Sequence, residues 1–169
     1  MTPSDPAPQP PADSDSAPYR ITVEFGDCDP AGIVFFPNFF RWMDSASRHY
    51  FVQRGVPPWR DTERDWGVLG TPVVDVSARF IKPASYGDRL AITTEMAEWR
   101  HKSFVQRHHV WCGPNLLVVG TEVRVFAAHA EDGGTGIRAV PIPAQIRALC
   151  GGVRGGEGGS AGAGPPQGG

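Results

Sequence analysis

The sequence predicts an α+β domain in which one long helix packs against an antiparallel sheet. Tyr19, Ile21, Val23 and Phe25 alternate with Arg20, Thr22 and Glu24, the period-2 pattern of a half-buried strand. Phe39, Trp42, Met43, Ala46 and Tyr50 then recur at helical spacing. Beyond residue 73 the period of 2 returns and persists through several runs separated by turn signals.

Each element follows from local chemistry. The helix is expected to begin at Pro37 or Asn38, because proline is preorganised for a first helical turn and asparagine is a favoured cap. It should run to about Arg54, where Gly55 and Pro57-Pro58 stop it. Its opposite face carries Arg41, Asp44, Ser45 and Arg48. Residues 59–66 form a second helical or irregular stretch. Val74, Val76, Ala78 and Phe80 then alternate with Asp75, Ser77 and Arg79 as a strand. Further strands are expected over 88–99, 101–112 and 116–128, with Gly113-Pro114-Asn115 as a hairpin turn and residues 131–134 as a break. Residues 137–141 suit a short strand, and 144–149 a last helical turn or two.

The two ends differ from the middle. Residues 1–18 hold six prolines, three serines and three aspartates without apolar periodicity, and are expected to be a disordered tail. Residues 151–169 contain ten of the 21 glycines and read as a flexible tail. Residues 19–150 remain as one domain, large enough for a core but marginal if it must enclose a ligand alone, so oligomerisation is expected. The formal net charge of −2 includes the three leading aspartates while Arg154 and Glu157 cancel, so the core is near +1, too weakly charged for nucleic acid. No apolar run approaches a membrane span, and no secretory signal is recognisable. Three cysteines without Cys-x-x-Cys spacing fit a reduced, cytoplasmic protein.

Chemistry concentrates at Glu24-Phe25-Gly26-Asp27-Cys28-Asp29-Pro30-Ala31-Gly32, between the first strand and the long helix. A carboxylate held on such a turn near the helix's positive end is placed for catalysis, although aspartate also initiates ordinary turns. Cys28 with one of five histidines would be a possible nucleophile pair, but no local cysteine-hydrolase motif accompanies it. His108 and His109 point to opposite faces of a strand and cannot share an ion. No His-Glu-x-x-His or Gly-x-Ser-x-Gly occurs, so neither a metal nor a cofactor is expected. Arg100-His101-Lys102 is a basic run at a turn, either a solvated hairpin tip or an anion contact.

Residues 24–34, Phe36-Pro37-Asn38, 41–48, 55–60, Gly70-Thr71-Pro72, 84–86, 99–108 and 124–127 together resemble the 4-hydroxybenzoyl-CoA thioesterase family of hotdog-fold enzymes. The resemblance implies a hotdog fold, an antiparallel sheet wrapped around one central helix, and hydrolysis of an aromatic acyl-CoA. It implies Asp29 as the catalytic carboxylate, acting as nucleophile or general base, with Asp27 structural. Backbone N–H groups at the helix start, in the segment Phe36, Pro37 and Asn38, would polarise the thioester carbonyl. Asp44, Trp59, Thr71, Pro72 and Val73 would line the acyl site, with Asp44 selecting a hydroxyl. Arg100, His101, Lys102 and Arg138 would hold coenzyme A. The assembly would be a homo-oligomer, a dimer of dimers. The chain departs from the family in Phe35-Phe36, where many hotdog thioesterases have Tyr-His, and in His101, where arginine is expected. Other acyl groups (benzoyl, phenylacetyl, short-chain) and a non-catalytic acyl-CoA-binding protein are the alternatives.

Overall fold

A computed structural model describes residues 16–131 and 136–151. The bulk of both expected tails, and part of the break at 131–134, lie outside these residues. Residues 16–18, expected to belong to the leading tail, are in contact with the domain: the Ala17 carbonyl accepts from Gln53 Nε2 at 3.0 Å.

The elements in chain order are β1 (Tyr19–Thr22), a 3₁₀ turn (Phe25–Asp27), α1 (Pro37–Gln53), α2 (Trp59–Trp66), β2 (Val73–Phe80), β3 (Arg89–Trp99), β4 (Ser103–Cys112), β5 (Asn115–His129), β6 (Ile137–Val140) and α3 (Ala144–Cys150). All strand pairings are antiparallel, in the order β1-β3-β4-β5-β2, with β6 pairing the far end of β5. Helix α1 lies on one face of this sheet.

Two expectations about strands are corrected. The first strand ends at Thr22, and Phe25 is 81% exposed on the 3₁₀ turn, edge-on to Tyr86. The Asp27 side chain causes the break: its Oδ2 accepts the Glu24 N–H at 2.9 Å, curling the chain before the alternation completes. The second correction is β2. Its alternation suggested one buried face, yet only Ala78 among its eight residues is even half-buried. It is an edge strand whose Val73, Val74 and Val76 stay exposed among the described residues, while Phe80 meets the rings of Phe36, Phe39 and Phe40 and Ala78 packs on the core.

The core has two apolar clusters with a polar belt between them. Phe39, Trp42 and Ala46 of α1 join Leu90, Ile92, Val110 and Val118 in the first. Tyr50 and Phe51, further along α1, join Phe104, Phe126 and Ile146 in the second. Between these, on every layer, the buried side chains are polar: Ser47 on α1, Thr94 on β3, Gln106 and His108 on β4, Glu122 and Arg124 on β5. The register aligns them, with Thr94 opposite His108 and Gln106 opposite Glu122.

Gly120 sets how closely α1 approaches the sheet. A Cβ there would lie 2.1 Å from Met43 Sδ and 2.9 Å from its Cε, and Met43 is fully buried. Gly120→Ala should therefore destabilise the fold by about 1–3 kcal/mol, the usual cost of overpacking. Met43→Ala made in that background should cost less than it does alone, because it vacates the colliding volume. Urea unfolding of the two single variants and the double variant checks this; strictly additive changes would contradict the close seat.

Candidate active site

Asp29 begins a tight turn. Its carbonyl accepts the Gly32 N–H at 2.9 Å, and its N–H donates to the Ile33 carbonyl at 2.9 Å. Pro30 supplies the fixed φ of the second turn position, and Gly32 takes φ +78°, which favours glycine. Asp29 Oδ1 accepts the Ala31 N–H at 2.8 Å, which fixes the carboxylate's orientation. No hydrogen bond to Oδ2 is made by the described side chains. Asp29 is half-buried and reachable from solvent; two backbone hydrogen bonds hold its main chain and one holds its carboxylate.

Asp27 is built into the frame instead. Its Oδ1 accepts from Arg41 at 3.0 Å, Oδ2 from Glu24 N–H, and its carbonyl from both Phe35 N–H and Asn38 Nδ2. It ties the turn to the start of α1, so the two neighbouring aspartates have different tasks.

The α1 terminus narrows the expected set of carbonyl-polarising donors. Pro37 has no N–H, and the Asn38 N–H is taken by the Phe35 carbonyl at 2.9 Å. Phe36 is the N-cap, and no backbone carbonyl among the described residues takes its N–H. Asn38 is not the cap expected of it, because its side chain reaches back to Asp27. The Phe36 ring lies beside a cavity of about 270 Å³ that Phe39, Phe80 and Ile81 also line.

A larger cavity, about 470 Å³, lies at the middle of α1. Asp44, Trp59, Thr71 and Pro72 all line it, as expected, together with Gly70 and Arg124. Val73 is not among its lining residues. Arg48 stacks on the Trp59 ring at 4.4 Å and donates to the Pro57 carbonyl at 2.8 Å. Burial lowers the Arg48 pKa. Trp59 also packs against the second apolar cluster, so it serves as both plug and wall.

Arg124 connects this cavity to the polar belt. Nη2 donates to Asp44 Oδ1 at 2.6 Å, Nη1 to the Thr71 carbonyl at 2.8 Å, and Nε to Glu122 Oε2 at 2.8 Å. His108 Nε2 lies 3.2 Å from the same Glu122 oxygen, and His108 Nδ1 lies 2.9 Å from Thr94 Oγ1. With Glu122 ionised, the consistent tautomer carries its proton on Nε2 and accepts from Thr94. Burial alone would raise the Glu122 pKa, but hydrogen bonds from His108 and Arg124 outweigh it and hold the carboxyl below its ordinary value. Burial likewise pulls the Arg124 pKa down, and Glu122 and Asp44 more than reverse this.

Arg100, His101 and Lys102 stand exposed where β3 turns into β4. The Lys102 carbonyl accepts from Phe126 N–H at 3.0 Å, and Ala127, the next residue, lines the larger cavity. The basic turn therefore borders that cavity across one strand. Ile137, also in the cavity wall, precedes Arg138. Arg100 is paired with Glu98 through two hydrogen bonds, and Arg138 with Glu131. No group of three or more potential metal-ligating side chains occurs among the described residues.

Known proteins match along nearly the whole domain. The thioesterase-like superfamily covers residues 23–149. The 4-hydroxybenzoyl-CoA thioesterase of Pseudomonas sp. strain CBS-3 is 50% identical over 133 residues, covering 76% of this chain and 92% of that protein. The chain belongs to the hotdog-fold thioesterases of the 4-hydroxybenzoyl-CoA thioesterase family. Among solved structures, a 4-hydroxybenzoyl-CoA thioesterase variant complexed with 4-hydroxybenzoyl-CoA is 47% identical, with TM-score 0.75, covering 79% of this chain and 97% of that one. A gentisyl-coenzyme A thioesterase is 34% identical, with TM-score 0.67, over 77% of this chain and 98% of its own.

Within a single chain, this thioesterase does not bring its expected residues together. Asp29 and Phe36 lie toward the start of α1, while Asp44, Trp59, Thr71 and Pro72 line the cavity at its middle. Sequence reasoning passed over Arg124, Arg48 and Glu122 as components of the site. The signal was present for two of them: Glu122 and Arg124 occupy the same strand parity as Val118, Gly120 and Phe126, so charge was placed where the core should be.

Glu122 makes the site's electrostatics testable. Because its folded pKa is held below the ordinary 4.5, its contribution to stability is complete above that pH and lost as pH falls through the folded value. Glu122→Gln should be clearly less stable than wild type at pH 7, and the gap should narrow below roughly pH 4.5. Urea midpoints at both pH values measure it. A gap that widens in acid would contradict the depressed carboxylate.

Proposed function

We propose that the protein is a cytoplasmic acyl-CoA thioesterase that hydrolyses 4-hydroxybenzoyl-CoA to 4-hydroxybenzoate and coenzyme A, with Asp29 as the catalytic carboxylate. The observation that carries this reading is the Asp29 turn: one carboxylate oxygen is pinned by a backbone N–H and the other is left for chemistry, on the segment leading to Phe36. As a nucleophile, Asp29 adds to the thioester carbonyl and expels the coenzyme A thiolate, leaving an anhydride that water opens. As a base, it takes a proton from the water that attacks. Either way negative charge grows on the carbonyl oxygen, and the Phe36 N–H at the positive end of α1 is the donor for it. One such donor is typically worth about 3 kcal/mol in the transition state.

The remaining expected residues divide by end. Asp44 accepts the ring hydroxyl, since an acceptor that the bound acyl group covers disfavours a group that leaves it unpaired. Trp59, Thr71 and Pro72 enclose the ring. Arg100, His101, Lys102 and Arg138 meet the phosphates of coenzyme A. The free Cys28, Cys112 and Cys150 accord with a reducing compartment.

The same reading takes the active unit as a homo-oligomer in which β2 pairs with β2 of a second copy. β2 runs from Thr71-Pro72 at the larger cavity to Phe80-Ile81 at the smaller one, about 26 Å at the usual rise per residue. Antiparallel pairing about a two-fold axis sets the Phe80 end of one copy beside the Thr71 end of the other. One copy's Asp29 and Phe36 then approach the other's Asp44 cavity, completing the site. The exposed Phe25–Tyr86 pair, away from β2, offers a second apolar contact for a dimer of dimers.

Asp29→Asn should abolish turnover of 4-hydroxybenzoyl-CoA while retaining fold and ligand binding, and Asp27→Asn should lose far less activity but more thermal stability. An inactive Asp27 variant beside an active Asp29 variant would reverse the assignment. Single turnover of wild type in ¹⁸O-water, with label sought in the Asp29 peptide, separates nucleophile from base.

Val76→Lys places a charge in the middle of an exposed edge, so the single chain should still fold. We expect sedimentation to show smaller species and kcat to fall by more than tenfold, the order of loss for a misassembled site. A fully active monomer would remove the need for a partner copy.

A further inference from the structure

Asp44 cannot aim itself. Its side chain is 65% exposed on the cavity wall, and a free carboxylate there would rotate about χ1 and χ2. The structure pins only Oδ1, through Arg124 Nη2, and gives Oδ2 no protein partner among the described residues. Arg124 in turn has no freedom. Its side chain is 5% exposed, and all three of its guanidinium nitrogens are engaged: by Asp44, by the Thr71 carbonyl, and by Glu122. Glu122 is 2% exposed and is held from its other side by His108, which is fully buried and fixed by Thr94. The chain of contacts crosses three strands and ends at the one carboxylate that faces the cavity.

Such an arrangement is expensive as a purely structural device. Buried ion pairs often contribute no more stability than apolar side chains of similar volume, since desolvation offsets their attraction. The polar belt is flanked by apolar clusters on both sides, so apolar residues at 108, 122 and 124 would have continued the core. Arg124 is moreover a planar fork whose three engaged nitrogens define a direction, which a lysine's single ammonium cannot do.

We propose that Arg124, held by Glu122 and His108, is a positioning residue that orients Asp44 so that Oδ2 meets the acyl hydroxyl, and that it thereby sets discrimination between hydroxylated and unhydroxylated aroyl groups. This rests on the reading of Asp44 as the hydroxyl acceptor. Arg124 also fixes Thr71, through its carbonyl, relative to Asp44, so one guanidinium spaces two walls of the cavity. Glu122 acts at one further remove, by preventing the fork from turning.

The experiment is a ratio. The kcat/KM for 4-hydroxybenzoyl-CoA is divided by that for benzoyl-CoA on one preparation of each full-length variant, so a reduced folded fraction cancels. Asp44→Ala should lower the ratio by about tenfold or more, the scale of one buried polar contact. Arg124→Lys, which keeps charge but loses the fork, should lower it by at least about fivefold, and the double variant should fall no further than Asp44→Ala alone. Glu122→Gln, which keeps volume and an acceptor for Arg124, should give a smaller loss in the same direction. It also carries the test if Arg124→Lys does not fold. A lowered ratio in Asp44→Ala with unchanged ratios in Arg124→Lys and Glu122→Gln would overturn the positioning role and leave the reading of Asp44 standing. An unchanged ratio in Asp44→Ala would overturn both. Independent, multiplying losses in the double variant would show that Arg124 acts on something other than Asp44, and would also overturn the proposal.

Discussion

The polar belt beneath α1 is the constraint around which this molecule is arranged. Glu122, Arg124, His108, Gln106 and Ser47 are all nearly inaccessible to solvent. Gln106 Nε2 is left without a hydrogen-bond partner among the described residues, whereas the belt's buried charges are tolerable because their polar atoms meet partners. Those partners come from different parts of the chain: Thr94 on β3, Asp44 on α1, and the Thr71 carbonyl ahead of β2. Satisfying the belt therefore fixes the helix over the sheet and the loop before β2 against the helix. The Gly120 notch beneath Met43 makes the same demand sterically. Since α1 also carries Phe36 at its start, the depth at which the helix seats governs both ends of the proposed chemistry.

An edge strand with an exposed apolar face is a liability for a solitary chain and a resource for an assembling one. The position of β2 matters more than its exposure, because its two ends reach the two cavities. A single copy holds the proposed acyl-recognition residues and the proposed catalytic turn at separate places along α1. In the proposed assembly, pairing through β2 would bring them within reach of one another without any rearrangement inside either copy. Assembly and activity then share one interface, and mutations on an edge remote in sequence from Asp29 would register as losses of catalysis.

Much of this was legible in the sequence, and what was not has physical reasons. The helix was readable because Phe39, Trp42, Met43, Ala46 and Tyr50 face one direction and Gly55 ends it. The hairpin at Gly113 was readable because few residues accept its φ of +54°. Phe25 misled because alternation cannot reveal that the Asp27 side chain captures the Glu24 N–H and turns the strand aside. β2 misled for a different reason: its alternation is not matched by burial among the described residues, and period alone does not say whose surface would cover a face. Asn38 looked like a cap by residue type, yet its amide served Asp27 better. Arg124 was hidden inside a motif match, and only its strand parity set it apart. Asp29 is the reverse case: its neighbours marked it out, while the hydrogen bonds that orient it required coordinates.

The two ends of the proposed substrate site handle charge in opposite ways. At the basic turn, Arg100 and Arg138 already have carboxylate partners in the solvent-exposed Glu98 and Glu131. A phosphate arriving there exchanges one anion for another in high dielectric, where such pairs are individually worth little and are screened by salt. Lys102 and His101 have no carboxylate partner among the described residues, so they add attraction without an exchange. This end can favour encounter and tolerate substitutions such as histidine for arginine at 101. At the acyl end, Arg124 and Glu122 are buried, and their charges cannot be screened or hydrated if a partner is lost. An error there leaves a desolvated group unpaired, which is what makes a site selective. On the proposed assignment, affinity for coenzyme A is thus spread over weak, replaceable contacts, whereas the choice of acyl group is concentrated in one rigid fork and the carboxylate it holds.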